Sequence, residues 1–148
     1  MAVRVAINGI GRIGRLVLRA ALELGRDDVE FVAINDLGST EDNAHLFKYD
    51  SVHGRYPNKV TVSDGAIDFG KGKVKILAER DPSKLPWKSL DVDMVFECTG
   101  RFTDKPDAKV HLDAGAKRVL VSAPSKGADL TVVYGVNHDK LSKEHLVV

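Results

Sequence analysis

The chain has 148 residues, of which 43% are hydrophobic and 29% are charged, a composition that is typical of a globular domain and excludes a disordered chain. Lysine and arginine total 22 against 21 acidic residues, so the net charge of +1 argues against nucleic-acid binding through charge alone. The single cysteine excludes an internal disulfide, and no apolar stretch approaches the length of a membrane helix. We therefore expect a cytoplasmic protein with no membrane partner and, given its net charge, no nucleic-acid partner.

The first part of the chain predicts a strand, a helix and a second strand. Val3–Ile7 is a short β-branched run, and beyond it apolar residues recur at helical spacing up to Leu24. Gly25 is placed to end this helix, and Val29–Ile34 supplies the second strand. Strand, helix and strand in this order form a βαβ unit, which is typical of parallel sheets.

The middle of the chain is less regular. Glu41–Lys48 is a helical candidate, and the polar segment Asp50–Asn58 predicts a loop. Lys59–Leu77 alternates apolar and polar residues around glycine turns, which predicts short antiparallel strands. Prolines make the following segment, residues 81–87, irregular.

Parallel order resumes in the last third of the chain. The elements predicted there are a strand over Val92–Cys98, a helix over Pro106–Ala114, and strands over Arg118–Val121, Leu130–Gly135 and Leu146–Val148. Nothing marks a domain boundary. We therefore predict an α/β fold with a doubly wound, mainly parallel Rossmann sheet, helices on both faces and an antiparallel excursion around residues 59–77.

Residues 9–14 have the spacing GxGxxG, follow a predicted strand and open a predicted helix, which is the context of a dinucleotide-binding turn. We assign Gly9 to the tight turn, Gly11 to the close approach of a pyrophosphate, and Gly14 to close contact between helix and sheet. The N–H groups of Arg12 and Ile13 lie at the helix N-terminus, where a phosphate is favoured. The alternative is that the three glycines only shape the turn.

Asp36 follows the second predicted strand, about 20 residues beyond the last glycine of the motif. A carboxylate there can accept hydrogen bonds from the adenine-ribose hydroxyls, and its charge would repel the additional 2′-phosphate of NADP. NAD is therefore the predicted cofactor. The alternative is that Asp36 only caps the next segment.

No residue is assigned to catalysis or to a metal. Cys98 lies in an apolar run without a neighbouring base, which favours a buried structural thiol. The alternation of Lys71, Lys73 and Lys75 is typical of one solvated face of an edge strand. The histidines lack metal-ligand spacing and are interpreted as surface or loop residues; they are His45, His53, His111, His138 and His145.

Several longer segments carry a resemblance to a known family. They are NGIGRIGR from Asn8, the pair Asn35-Asp36, KYDSVHGRY from Lys48, AERDPSKLPW from Ala78, ECTGRFTD from Glu97 and GAKRVLVSAPSKGADLTVVYGVNHDKL from Gly115. Together they resemble the N-terminal NAD-binding part of phosphorylating glyceraldehyde-3-phosphate dehydrogenase of the bacterial type, over essentially the whole chain. Ile10 stands where phenylalanine is usual, which leaves the backbone donors of the turn unchanged.

The resemblance implies an NAD site along the ends of the strands. It carries pyrophosphate contact onto Arg12 and Ile13, ribose contact onto Asp36 and adenine contact onto Arg80, with further residues along the crevice. The full set of expected cofactor-binding residues is Gly9, Gly11, Arg12, Ile13, Gly14, Asn35, Asp36, Arg80, Thr99, Gly100, Phe102 and Ser122.

The resemblance also implies a glycolytic reaction, in which a cysteine forms a thiohemiacetal with a phosphorylated aldehyde, hydride passes to NAD, and phosphate releases an acyl phosphate. The family's cysteine segment, of the type SNASCTTN, would begin after Val148. We therefore expect residues 1–148 to be one NAD-binding domain without its catalytic domain, inactive alone, from a homotetrameric parent. Two alternatives stay open, an erythrose-4-phosphate dehydrogenase and a non-catalytic dinucleotide-binding module.

Overall fold

The computed structural model describes all 148 residues and contains nine strands and four α-helices. The helices are α1 (Arg12–Glu23), α2 (Thr40–Lys48), α3 (Lys105–Ala108) and α4 (Val110–Asp113). The strands are β1 (Val3–Asn8), β2 (Val29–Asn35), β3 (Tyr49–Asp50), β4 (Gly54–Arg55), β5 (Thr61–Ser63), β6 (Ala66–Asp68), β7 (Lys73–Leu77), β8 (Met94–Glu97) and β9 (Arg118–Val121). None of the helices has the length and apolar character needed to cross a membrane.

Seven strands form one sheet in the order β5-β6-β7-β2-β1-β8-β9. β1 lies between β2 and β8 and is parallel to both, and the parallel pairing continues to β7 on one side and β9 on the other. The order reverses at β1, because the chain moves from β1 to β2 in one direction and later returns to β8 on the other side. This arrangement confirms the predicted Rossmann-like sheet and creates its crevice beside β1.

The predicted antiparallel excursion is confirmed. β5 pairs antiparallel with β6, and β6 pairs antiparallel with β7, which then runs parallel to β2. Lys73 and Lys75 are exposed on β7, as their alternation predicts, but β7 is not an edge strand because β6 covers it. The edge on this side of the sheet is β5.

The sheet buries a separate apolar layer on each face. Ile7 and Ile34 pack toward α1 and α2, in a cluster that also contains Leu18 and Phe47. Their neighbours on the same strands, Ala6 and Ala33, point to the other face, where they meet Leu85, Trp87, Val92, Val95 and Ala116. The alternation follows from the two-residue period of a strand.

Some predicted elements differ from the structure. The loop predicted over Asp50–Asn58 contains the short hairpin β3-β4, and the strand predicted over Val92–Cys98 is shorter, at Met94–Glu97. The helix predicted over Pro106–Ala114 is divided at Lys109 into two four-residue helices. The carbonyl of Lys109 accepts from the N–H of Leu112, only three residues further on, which starts a new turn.

The strand predicted over Leu130–Gly135 is wrong. The Asn137 side chain binds this backbone instead, since its Oδ1 accepts from the N–H of Val133 at 2.7 Å and its Nδ2 donates to the carbonyl of Thr131 at 2.9 Å. The segment Leu146–Val148 pairs beside β9 through a single parallel bridge between Val119 and Val147 and is not an extended strand.

Helix α1 lies unusually close to the end of β1. A Cβ atom built on Gly14 would be 2.2 Å from the carbonyl oxygen of Gly9, and one built on Gly9, whose φ is +90°, would be 2.8 Å from the backbone nitrogen of Thr99. Gly11, by contrast, has no heavy atom within 4 Å of such a Cβ. The roles that the motif predicts for Gly9 in the turn and Gly14 in helix packing agree with this geometry.

We expect Gly14→Ala to lower the free energy of unfolding by about 2 kcal/mol or more, because the added methyl group must displace backbone rather than a flexible side chain. Gly11→Ala is the matched control and should cost below about 1 kcal/mol, since its methyl group enters open space at an N-cap position. Urea unfolding followed by circular dichroism measures both. Equal losses in the two variants would contradict the close helix contact.

Candidate dinucleotide-binding site

A cleft of about 270 Å³ opens at the carboxyl ends of β1, β2, β7 and β8. In a parallel sheet these ends meet at one edge, which is where such folds bind ligands. Seven of the twelve predicted residues line the cleft: Gly9, Gly11, Asn35, Asp36, Arg80, Thr99 and Phe102. The structure therefore brings together residues as far apart in the chain as Gly9 and Phe102.

The N-terminus of α1 supplies free donors at one wall of this cleft. As at the start of any α-helix, the first N–H groups of α1 have no intrahelical acceptor. Its N-cap residue, Gly11, has no side chain that could accept from them instead. A Cβ atom on Gly11 would meet no heavy atom within 4 Å, so the backbone there is open to a ligand. The helix dipole adds to the attraction, so this wall is suited to a phosphate.

Asp36 is held in the cleft by the backbone around it. Its Oδ2 accepts from the N–H of Ile10 at 3.0 Å, and its Oδ1 accepts from the N–H of Gly38 at 2.8 Å. The side chain therefore does stabilise the turn that follows β2, as the alternative interpretation expects. A carboxylate has about four acceptor positions, so Asp36 keeps capacity for a ribose hydroxyl, and its cofactor role stays a prediction.

The other predicted residues lie outside the cleft lining. Arg12 points away, with Nη1 3.9 Å from the Asp50 carboxylate, and Ile13 is half exposed, so only their backbone groups can face the cleft. Gly14 is buried under the turn. Gly100 lies between two lining residues, at a φ of +72°, and Ser122 lies on the exposed edge beside Cys98.

Cys98 differs from its interpretation as a buried core thiol. It is half buried and lines the cleft, directly after β8. Burial raises the pKa of the Cys98 thiol; the Ser122 hydroxyl lowers it in part, and the nearby charge of Glu97 raises it further. The thiol is therefore reachable but not activated as a nucleophile.

The buried carboxylate of Glu97 is the main feature of the site that the sequence did not predict. It is 1% exposed and lies beneath the cleft, where it binds Asn8 Nδ2 at 2.7 Å, His111 Nε2 at 2.7 Å and Thr99 through both its N–H and its hydroxyl. Burial raises the pKa of Glu97, but the hydrogen bonds from His111, Thr99 and Asn8 outweigh it and leave the pKa below its usual range.

His111 is likewise fully buried, so its interpretation as a surface or loop residue is wrong. Its Nδ1 accepts from the indole N–H of Trp87 at 3.0 Å, which leaves Nε2 as the protonated nitrogen that donates to Glu97. No local pattern around His111 in the sequence announces this pairing, because its partners lie 14 and 24 positions away.

Six more residues line the cleft without having been predicted to bind the cofactor: Asn8, Leu37, Glu79, Pro82, Cys98 and Arg101. One signal could have found some of them. The apolar residues of β1, β7 and β8 are each followed within two positions by a polar residue, and the carboxyl ends of parallel strands share one edge. These polar residues are Asn8, Glu79 and Glu97. Position after a strand is therefore as informative here as a motif.

Comparison with known proteins identifies what this site is similar to. Residues 3–105 match the family described as glyceraldehyde 3-phosphate dehydrogenase, NAD binding domain. The chain is 65% identical over 148 residues to glyceraldehyde-3-phosphate dehydrogenase of Xanthobacter flavus, 62% over 148 residues to that of Cereibacter sphaeroides, and 53% over 145 residues to that of Thermotoga maritima. These matches cover 98–100% of the chain, which spans 44% of the length of each relative.

We expect Cys98 to react with iodoacetamide about tenfold or more slowly than a cysteine in a short peptide, because a raised pKa leaves less thiolate at a given pH. The apparent pKa from the pH dependence of the rate should lie above that of the peptide. Ser122→Ala should slow the reaction further, since it removes the hydrogen bond that lowers the pKa. A rate above that of the peptide would contradict this assignment.

Proposed function

The chain belongs to the glyceraldehyde 3-phosphate dehydrogenase family, whose NAD-binding domain it matches, and we propose that residues 1–148 form one NAD-binding domain of an aldehyde-oxidising dehydrogenase. One observation carries the proposal beyond family membership. Gly11, the N-cap residue of α1 with open space beside it, and Asp36 both line one cleft at the switch point of the sheet, next to the first N–H groups of α1.

These residues fit a dinucleotide. The start of α1, with the N–H groups of Gly11, Arg12 and Ile13, would hold the pyrophosphate, because it combines unbonded donors with space for the phosphate oxygens. Asp36 would hold the adenine ribose. The remaining contacts would come from the cleft walls, through Asn35, Arg80, Thr99, Gly100, Phe102 and Ser122. When bound, NAD supplies the hydride acceptor for oxidation of an aldehyde.

The proposal extends to the whole protein. The names of the relatives support glyceraldehyde 3-phosphate as the aldehyde. We further propose a homotetrameric parent enzyme that acts in glycolysis, as the family resemblance implies. For residues 1–148 alone we propose NAD binding without turnover. Its support is the chemistry of Cys98, the one thiol of the chain, which is half buried and has a raised pKa.

Calorimetric titration tests the binding proposal directly. We expect this chain to bind NAD with micromolar or weaker affinity, and Gly11→Ala to weaken binding about tenfold or more, because its methyl group takes the space through which the pyrophosphate reaches α1. The unfolding midpoint of Gly11→Ala, measured in parallel, separates this effect from loss of fold. Absence of binding at millimolar NAD would reject the proposed function.

A turnover assay on the same samples tests the second part. With NAD, glyceraldehyde 3-phosphate and phosphate present, absorbance should show no NADH formation. Turnover that Cys98→Ser abolishes would overturn the assignment of Cys98 as an unactivated thiol.

We expect Asp36→Ala to weaken NAD binding by about 1–3 kcal/mol, the scale of a hydrogen bond to a charged group, and to narrow the preference for NAD over NADP. Asp36→Asn is the comparison variant, because it keeps an acceptor oxygen for the Gly38 N–H, loses the acceptor for the Ile10 N–H and removes the charge that repels a 2′-phosphate. It should gain NADP affinity relative to the wild type. Unchanged affinities for both cofactors would remove Asp36 from the site.

A further inference from the structure

The buried carboxylate of Glu97 is one end of a chain of side-chain hydrogen bonds beneath the cleft. It lies at the end of β8, beside Asn8 at the end of β1, and Asn8 in turn contacts Asn35 at the end of β2. Asn35 then binds the backbone of Glu79, on the segment that follows β7. One chain of side chains therefore crosses four neighbouring strands directly beneath the cleft.

The direction of these hydrogen bonds is the same whether it is followed from Glu97 or from the backbone of Glu79. An ionised carboxylate can only accept, so Asn8 must turn its Nδ2 toward Glu97 and its Oδ1 toward Asn35. Asn35 must then turn its Nδ2 toward Asn8, which leaves its Oδ1 to accept from the N–H of Glu79 at 2.8 Å. The ionised carboxylate of Glu97 and the backbone of Glu79, which follows a strand three positions away in the sheet, thus fix the orientation of the Asn8 and Asn35 amides from the two ends of the chain.

Glu97 acts on the opposite wall without an intermediary. Its Oε1 accepts from the N–H of Thr99 at 2.9 Å and from the Thr99 hydroxyl, which itself accepts from the N–H of Arg101 at 3.1 Å. Thr99 and Arg101 line one wall of the cleft, and Asn35 and Glu79 line the other. Both walls are therefore fixed to the same carboxylate.

We propose that Glu97 is a positioning residue for the cofactor, which as a buried acceptor-only group orients Thr99 directly and Asn8, Asn35 and Glu79 in sequence. This inference rests on the proposed NAD site. Glu97 does not line the cleft and so acts through these residues rather than by contact with NAD. Its hydrogen bond from His111 holds the carboxylate from the side away from the cleft.

Glu97→Gln provides the discriminating change, since it is nearly isosteric but replaces one acceptor oxygen with a donor. In the place of Oε2 the new NH₂ group would face two donors, Asn8 Nδ2 and His111 Nε2, and in the place of Oε1 it would face the N–H of Thr99. Either way, at least one buried donor loses its acceptor or the amide chain reverses. Reversal would present Asn35 Nδ2 to the N–H of Glu79, two donors that repel. We therefore expect about a tenfold higher Kd for NAD, the scale of one lost hydrogen bond to a charged group.

Trp87→Phe is the matched control for a merely structural role. It breaks the same buried cluster and should also lower stability, but it leaves the acceptor character of Glu97 and its bonds to Asn8 and Thr99 in place. At temperatures where both variants are folded, its Kd for NAD should stay within about twofold of the wild type. The backbone amide resonances of Thr99 and Glu79 should shift in Glu97→Gln and stay in place in Trp87→Phe.

The outcomes separate this inference from the proposed function. If wild type binds NAD and Glu97→Gln binds equally well, or if Trp87→Phe loses as much affinity, Glu97 is only part of the core and the inference is wrong. If wild type does not bind NAD, the proposed function fails. In that case the NMR comparison still tests the inference, because Thr99 and Glu79 amide resonances that do not shift in Glu97→Gln would overturn it. Should Glu97→Gln not fold, the wild-type NMR spectrum decides, since a His111 proton on Nδ1 instead of Nε2 would contradict the proposed direction of the bonds.

Discussion

The close contact between α1 and β1 is the constraint on which the cleft depends. Only three residues separate the end of β1 from the start of α1, so the helix can present its N-terminus to the sheet edge only if the two backbones lie in direct contact. The carbonyl of Gly9 leaves no space for a side chain at position 14. The same turn brings Gly9 against Thr99, so it also joins β1 to the loop after β8. A larger residue at either glycine would move the donors away from the crevice that the sheet topology creates.

A buried charge under this crevice requires compensation. Removal of a carboxylate from water disfavours its ionised form, yet the four hydrogen bonds donated to Glu97 lower its pKa overall. Because the folded pKa lies below that of the unfolded chain, this stabilisation is present at neutral pH and is lost as the pH falls through the folded value. The hydrogen bonds therefore favour an ionised Glu97 at neutral pH, the state in which its oxygen accepts from the Asn8 amide.

Local patterns predicted what is encoded locally. The βαβ unit, the antiparallel excursion and the roles of Gly9 and Gly14 follow from residue spacing, and each agrees with the structure. The strand prediction for Leu130–Gly135 failed because the side chain of Asn137 binds the backbone of this segment. A pattern of apolar residues does not show such a competing hydrogen bond. Glu97 and His111 were missed for a different reason, since the value of each depends on partners from other strands and helices, and one sequence does not show which distant residues meet.

The same carboxylate links cofactor binding to the behaviour of the thiol beside it. Glu97 orders Thr99 through hydrogen bonds, and its charge adds to burial in raising the pKa of Cys98, the next residue in the chain. A nucleophilic thiolate needs the opposite environment, with positive charge or donors close to the sulfur. A buried anion at this strand end thus favours an ordered cleft and at the same time disfavours covalent chemistry at Cys98. One strand end cannot both order the cleft through the Glu97 carboxylate and activate the sulfur of the adjacent Cys98.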